Sequence, residues 1–494
     1  MQGETVHQQP NAGSSRRPEI SGSQIKTDLL VIGAGSGGLS VAAGAVQMGA
    51  SVVLIEKGKM GGDCLNTGCV PSKALIAAAK VAHSIRHAET FGIRSLEPEV
   101  SFEKVHDHVH AVIAKIAPND SVERFESLGV TVIAGTARFL SENSIEAAGN
   151  QISARRIVVA TGSKASVPPI PGLDQIDFMT NESVFDMKNL PKRLIVIGGG
   201  PIGLEMAQAF HRLGAEVVVL EKFSVLPKDE PEAADLIRSF FSGEGVDIHE
   251  NISIARVERV TAGVAVILEG EKPRKIEGTH ILVAAGRAAA TQDLNLEAAG
   301  IQYDKKGIKV DAGLRTSNKR VFAIGDVASG PQFTHVAGYH AGIVIRRALF
   351  GLPAKINYSA LPWVTYTDPE IAHTGLTESA AKETGHHVQI LHAALEENDR
   401  AQAERHTNGF AKIVLGSRGR ILGATIAAPN AGEMIGMWSL AISAKVKIGA
   451  VASMIAAYPT LSEISKRAAG SYYTPSLFSQ RTRCVVGLIQ RFIP

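Results

Sequence analysis

Cys64 and Cys69 stand with four residues between them in the string Gly61-Gly62-Asp63-Cys64-Leu65-Asn66-Thr67-Gly68-Cys69-Val70-Pro71-Ser72-Lys73. Two thiols at this spacing can close a short loop as a disulfide and reopen as a dithiol, which is two-electron chemistry. The spacing is longer than the Cys-x-x-Cys of thioredoxin-like proteins. The one remaining cysteine, Cys484, leaves no second pair for a zinc site. Thiol exchange needs a thiolate, so a site built on this pair must lower a pKa or supply a base.

The elements that position this string are legible on both sides of it. Asp28-Leu29-Leu30-Val31-Ile32 is a short apolar run, read as a buried strand. Gly33-Ala34-Gly35-Ser36-Gly37-Gly38 follows, then a helical stretch from Leu39 to Gly49 and a strand from Ser51 to Ile55 that ends at Glu56. This is a βαβ unit with G-x-G-x-x-G at its turn. Gly33 and Gly35 permit a tight turn and close approach to a pyrophosphate, and Gly38 lets the helix pack on the sheet. The helix N-terminus faces the phosphates, and a carboxylate at Glu56 can bind ribose hydroxyls.

The unit recurs. Arg193-Leu194-Ile195-Val196-Ile197 leads into Gly198-Gly199-Gly200-Pro201-Ile202-Gly203, a helix to about Gly214, and a strand from Glu216 to Leu220 ending at Glu221. One such fingerprint is weak; two complete units, each with an acidic residue after its second strand, predict two bound dinucleotides. Gly198, Gly200 and Gly203 carry the second phosphate turn. Glu221 would accept a hydrogen bond from a 2′-hydroxyl and repel a 2′-phosphate, so if this unit takes the nicotinamide dinucleotide NADH is expected ahead of NADPH, with Lys222 and Lys228 nearby as the counterweight.

Composition narrows the class. The 494 residues are 45% hydrophobic and 20% charged, with a formal net charge of +3, which is ordinary for a globular protein and too small to suggest a nucleic-acid partner. No apolar run has the length of a bilayer-spanning helix. Three cysteines cannot form a secreted disulfide framework, and a labile catalytic pair fits a reducing, cytoplasmic setting. Residues 1–26 are polar, contain Arg16 and Arg17 without an apolar core, and are expected to be a disordered leader.

The string from Gly61 to Lys73 resembles the redox-active site of the class I pyridine nucleotide–disulfide oxidoreductases, which include dihydrolipoamide dehydrogenase, glutathione reductase and mercuric reductase. The resemblance extends to Val158-Val159-Ala160-Thr161-Gly162-Ser163, to Val321-Phe322-Ala323-Ile324-Gly325-Asp326, and to Leu361-Pro362-Trp363-Val364-Thr365-Tyr366-Thr367-Asp368-Pro369-Glu370-Ile371-Ala372 at the start of a dimerisation domain. It covers roughly residues 27–470. It implies an α/β protein with two Rossmann-like dinucleotide-binding domains, for FAD and NAD, and a C-terminal α+β dimerisation domain. The implied order is an FAD-binding domain over 27–172 and 287–356, an NAD(P)-binding domain over 173–286, a dimerisation domain over 357–470 and a tail over 471–494.

The resemblance also implies roles. Electrons would pass between nicotinamide, FAD and a Cys64–Cys69 disulfide, with Cys69 beside the flavin as the charge-transfer thiolate and Cys64 the more exposed, exchanging thiol. Lys73 and Glu205 would pair where hydride reaches the flavin. Asp326 would bind the ribityl chain, and a helix near His335 to Phe350, carrying Ala337, would aim its N-terminus at the flavin ring. Lys57, Gly62, Thr161, Gly162, Ser163 and Gly286 complete the expected cofactor contacts. The implied assembly is a homodimer acting on a small-molecule disulfide or dithiol, or on a metal ion or quinone as the alternative, with no resident metal. A rival role is a flavoprotein that serves as a structural partner, which would not need the cysteine pair.

The chain also departs from the family's pattern. In Ala457-Tyr458-Pro459-Thr460-Leu461-Ser462-Glu463, Tyr458 stands where dihydrolipoamide dehydrogenase and glutathione reductase carry a histidine held by the glutamate. A phenol with a pKa near 10 is a poor base at neutral pH. Either Tyr458 packs at the interface or it acts as a proton donor or ligand beside Cys64 of the partner subunit. Mercuric reductases also lack that histidine, but they carry a vicinal cysteine pair near the C-terminus where this chain has only Cys484. Pro201 replaces the usual Tyr or Val, and Gly286-Arg287-Ala288-Ala289-Ala290-Thr291 replaces Gly-Arg-x-Pro-Asn-Thr. His335, His340 and His373 are the remaining candidates for a base. The segment from Ser479 to Pro494 is basic and apolar; packing on the interface domain is expected of it, with contact to an anionic membrane as the alternative.

Overall fold

The computed structural model describes residues 16–271 and 274–493. Chain contacts divide it into two compact units. One runs from residue 16 to Ile197 and adds Arg212–Ala215 and Ile254–Ile356; the other holds Gly198–His211, Glu216–Ser253 and the chain from Asn357 on.

The first unit is built on a largely parallel sheet. Its strands run in the order Thr131–Ala134, Val52–Glu56, Gln24–Ile32, Asn150–Val159, Ser144–Ala147 and Arg138–Phe139, with Val321–Ala323 added beside Asn150–Val159. Leu29, Leu30, Val31 and Ile32 are buried, as are Ile157, Val158 and Val159, because parallel strands are covered on both faces and read as continuous apolar runs. Leu30 lies opposite Val53 on one side and Ile157 on the other. The central strands therefore end together, which sets Gly33, Glu56, Thr161 and Asp326 at one edge of the sheet, where open α/β sheets bind ligands.

Helix Ser36–Gln47 packs against helix Thr334–Ala348, and its glycines make that approach possible. A Cβ on Gly44 would lie 2.4 Å from Ile345 Cδ1, and one on Gly37 would lie 3.2 Å from Ala337 Cβ. The unit also contains the parallel pair Arg193–Ile197 and His280–Val283, and an antiparallel sheet of Ile254–Val260, Gly263–Leu268 and Arg274–Gly278.

Ordered chain begins earlier than Thr27. Strand Glu19–Ser21 pairs antiparallel with Gln24–Ile32, Ile25 is buried, and the Thr27 hydroxyl donates to the Ser51 carbonyl at 2.8 Å. The leader expected over 1–26 thus gives way to strand from Glu19 on, because Ile25 has a core to enter; residues 1–15 lie outside the described residues.

The second unit contains helix Pro201–Arg212 up to His211, the parallel pair Glu216–Leu220 and Asp247–His249, and a five-stranded antiparallel sheet. That sheet runs Pro362–Thr365, Glu370–Gly375, Arg420–Ala428, Phe410–Gly416, Gln389–Ala394. Helix Ala431–Ser443 lies on it. Trp438 is fully buried there and its indole N–H donates to Ser465 Oγ at 3.1 Å, so the large side chain enters the core without an unpaired donor. Helix Glu463–Ser471 follows. The last helix, Gln480–Ile489, buries none of its residues, contrary to the packing expected of the tail. Among the described residues no helix is long and apolar enough to cross a membrane.

Candidate active site

The two glycine turns are the same structure twice. Gly33, at φ +103°, donates its N–H to Ile55 O at 2.8 Å; Gly198, at φ +119°, donates to Leu220 O at 2.9 Å. Ala34 N–H donates to Glu56 Oε2 at 2.6 Å and Gly58 N–H to Glu56 Oε1 at 2.7 Å. Gly199 N–H donates to Glu221 Oε2 at 2.6 Å and Phe223 N–H to Glu221 Oε1 at 2.8 Å. Every partner in the second turn lies 165 positions after its counterpart, from 33 to 198 and from 56 to 221. The carboxylates that follow the second strands are thus held in one geometry, clamped by two backbone N–H groups each.

These turns fit dinucleotides. A Cβ on Gly38 would stand 1.9 Å from Gly33 O, so only glycine lets the helix start so close to the strand end. Gly35 caps that helix with no side-chain hydrogen bond, leaving first-turn N–H groups for an anion. Gly62, at φ +61°, comes against Gly35: a Cβ there would lie 2.7 Å from Gly35 Cα. In the second unit a Cβ on Gly200 would meet nothing within 4 Å, whereas Gly203 is buried in the following helix.

The cysteines are placed by two helices. Cys64 lies in the short helix Gly62–Asn66, and Cys69 is the first residue of Cys69–Arg86. A cysteine at a helix N-terminus is acidified by the partial positive charge there. Cys69 Sγ also lies 3.5 Å from the Thr334 hydroxyl. The hydrogen bond from Cys64, the Thr334 hydroxyl and the Lys73 charge together lower the Cys69 thiol to about 6, against desolvation. Cys64 moves the other way, raised chiefly by its bond to Cys69 and by burial. Cys69 is thereby the more acidic thiol of the pair. Cys69 is exposed and Cys64 half-buried in the chain by itself.

Asp63 ties this turn to the sheet edge. Its Oδ1 accepts from Thr67 Oγ1 and from Asn181 Nδ2, both at 2.8 Å, and its Oδ2 lies 3.3 Å from Arg287 Nη2. Arg287 also donates to Ser163 Oγ at 2.7 Å, and Ser163 donates to Asp326 Oδ2 at 2.6 Å. Burial pushes the Asp326 carboxyl up from its ordinary range, which suits an acceptor for a hydroxyl-bearing ligand. Thr161 Oγ1 donates to Ala290 O, and Ser166 N–H to Gly286 O, so the loop from Gly286 holds without its proline and asparagine. Gly162 and Gly286 each leave open space where a Cβ would be. Ala337 is buried in the helix after Thr334, and Lys57 is exposed.

The histidine candidates resolve differently. His340 is buried, is depressed to about 4 by burial, and accepts from Gly325 N–H at 3.1 Å, which fixes the backbone before Asp326. His373 is buried, is likewise depressed to about 4, and bonds Thr425 Oγ1 at 2.7 Å. Both are neutral structural groups. His335 is exposed and stacks on Phe333.

In the second unit Glu205 is buried and its Oε1 accepts from Tyr366 N–H at 2.9 Å. Tyr458 is exposed, and its hydroxyl donates to Asp399 Oδ2 at 2.9 Å, which raises the phenol further. Glu463 opens the helix Glu463–Ser471. Asn398, buried beside Asp399, donates to Thr460 O at 3.0 Å and holds the Tyr458 loop. Thr334, Asp63 and Asp399 were not among the residues singled out from the sequence. Thr334 and Asp63 sit inside or next to strings that were, but nothing in the spacing points from Asp399 to Tyr458, 59 residues on.

The family profile described as pyridine nucleotide-disulphide oxidoreductase matches residues 27–341, and that of its dimerisation domain matches 361–469. The chain belongs to the pyridine nucleotide-disulphide oxidoreductase family. It is an FAD-dependent enzyme of that family, α/β, with two Rossmann-like dinucleotide-binding domains and a C-terminal α+β dimerisation domain. It is 36% identical to a mercuric reductase from Bacillus cereus, over 88% of this chain and 70% of that one. It is 35% identical to a dihydrolipoyl dehydrogenase from Bacillus subtilis, over 90% and 96%. Among solved structures, LpdA from Mycobacterium tuberculosis matches with a TM-score of 0.83 and 28% identity, over 90% of this chain and 99% of that one. The Cu(II) complex of the HOCl-induced flavoprotein disulfide reductase RclA from Escherichia coli matches with a TM-score of 0.81 and 27% identity, over 89% and 99%.

Proposed function

We propose that this protein is an NADH-dependent flavoprotein reductase whose Cys64–Cys69 pair delivers electrons to a small thiophilic substrate, a disulfide in the first instance. The observation that carries it is the split acidity of the pair, with Cys69 lowered to about 6 beside Thr334 and Cys64 raised. FAD, when bound, supplies the two-electron relay between nicotinamide and the cysteines. Gly33, Gly35, Gly38, Glu56, Gly62 and Asp326 would hold it, with Thr161, Gly162, Ser163, Gly286 and Ala337 shaping the edge. Gly198, Gly200, Gly203 and Glu221 would hold NADH. Cys69 would stay a thiolate while the proton sits at Cys64 Sγ. Lys73, one turn beyond Cys69, would support that charge. A homodimer is part of this reading, supported by the dimerisation domain, and so is a cytoplasmic setting that keeps the pair reducible.

A second reading is reduction of a soft metal ion, favoured by one observation. The Tyr458 phenol, held by Asp399 and raised by it, is a donor rather than a base. Disulfide exchange profits from a base, whereas a thiophilic cation on two thiolates does not need one.

The test is NADH oxidation by the purified, FAD-loaded protein with lipoamide as acceptor, followed by Hg(II). Lipoamide turnover supports the first reading. Turnover with Hg(II) alone supports the second. If NADH leaves the flavin spectrum unchanged, both fall.

A further inference from the structure

We propose that the segment after residue 470 docks on an anionic lipid surface. The dimerisation profile ends at residue 469, so this segment lies outside the part shared with the family. It nonetheless forms a helix, Gln480–Ile489, whose start is capped by Ser479 Oγ accepting from Thr482 N–H at 3.2 Å. The helical bonding continues one turn further, with Gln490 N–H donating to Val486 O and Ile493 N–H to Ile489 O.

The helix sorts its residues by face. Val485, Leu488, Ile489 and Phe492 follow the three- and four-residue spacing that lines one side, and Val486 and Ile493 flank them. Arg483 and Gln490 project from the opposite side and Arg491 from its flank, while Arg481 stands one turn ahead of Val485 at the start of the apolar row. Every residue from Arg483 to Ile493 is exposed, with Leu488 at 55% and Phe492 at 80%. A face of this kind left in water is an interaction surface.

Charge selects the occupant. After Glu463 the sequence contains no Asp or Glu, while Arg481, Arg483 and Arg491 lie in the segment itself. None of the three is in an ion pair among the described residues. A second copy of the same helix laid on the apolar face would leave the arginines of both copies without a counter-charge, since neither segment carries an Asp or Glu. A bilayer containing anionic lipid offers both halves of the match: acyl chains for Leu488 and Phe492, and headgroup phosphates for the guanidinium groups.

The experiment is co-sedimentation of the FAD-loaded full chain with vesicles of phosphatidylcholine alone or mixed with phosphatidylserine. Binding to the mixed vesicles should exceed binding to the neutral ones by at least about tenfold and weaken as salt is added. The combined variant Arg481→Gln, Arg483→Gln, Arg491→Gln should lose that difference. Leu488→Ser with Phe492→Ser should lose binding too, while NADH-dependent flavin reduction stays unchanged and reports an intact fold. Equal sedimentation with both vesicle types, or binding indifferent to either variant, overturns the proposal. So does a change of oligomeric state in the Leu488→Ser, Phe492→Ser protein without vesicles, which would assign the face to a second copy.

Discussion

The Tyr458 hydroxyl donates a 2.9 Å hydrogen bond to Asp399, which opens the helix Asp399–Glu404, and Tyr458 stands at the position where the resemblance leads one to expect a histidine. A carboxylate accepting from a phenol stabilises its protonated form, so the pair is built to keep a proton rather than to take one. Glu463 remains one turn on, at the start of its helix.

Restoring the histidine is therefore the informative substitution. Tyr458→His should raise kcat with lipoamide by at least about tenfold, since positioned general acid–base groups contribute ~100-fold or more. Steady-state NADH oxidation with lipoamide reads it directly. An unchanged or lower kcat would mean that the loop does not serve thiol exchange.

Thr334 supplies one of the interactions that make Cys69 acidic. Thr334→Val keeps the shape and removes the hydroxyl. The titration of Cys69, followed by alkylation rate against pH in the reduced protein, should move up from its midpoint of about 6. The sign follows from the chemistry: a donor lost from the thiolate favours the thiol. At pH 6.5 the alkylation rate should fall severalfold, and at pH 9 it should not change. Asp63→Asn should do the opposite, because the Asp63 charge raises the thiol.

Much of this was legible in the chain and some was not, for physical reasons. The glycine turns, Glu56, Glu221 and the cysteine loop could be read because each is a local pattern whose geometry is fixed within a few residues. The constant spacing that repeats Gly33 and Glu56 at Gly198 and Glu221 shows how faithfully such a pattern sets backbone hydrogen bonds. Asp399, Asn398 and Thr334 are ordinary residues made relevant by tertiary placement alone. The histidines could not be sorted from sequence, since burial alone turns His340 and His373 into neutral acceptors.

The same limit hid a buried cation. Lys412, 4% exposed, lies 3.1 Å from Glu230, 3.0 Å from Glu232 and 2.8 Å from Glu378, residues far apart in the chain. Lys412→Ala would leave Glu230, itself 2% exposed, without its counter-charge, and should cost ~3–5 kcal/mol of stability. Thermal unfolding of the FAD-loaded protein checks it. These carboxylates outweigh desolvation and raise the lysine in the folded state. Its stabilising effect is therefore complete below the ordinary lysine range and is lost as pH climbs through the raised value. The wild type should lose stability above about pH 10 more steeply than the variant.

Glu221 tests the nicotinamide preference, and its twin at Glu56 provides the control. Both carboxylates accept from two backbone N–H groups in the same geometry, so each also stiffens the turn it follows. Glu221→Gln keeps one acceptor oxygen for those bonds and removes the charge that repels a 2′-phosphate. The ratio of kcat/KM for NADH to that for NADPH should fall by about tenfold, the equivalent of ~1.4 kcal/mol. FAD content should be unaffected, because the first turn is untouched. Equal losses with both nucleotides would show that Glu221 serves the turn alone and that preference is set elsewhere. A ratio that does not move at all would remove the carboxylate from nucleotide selection.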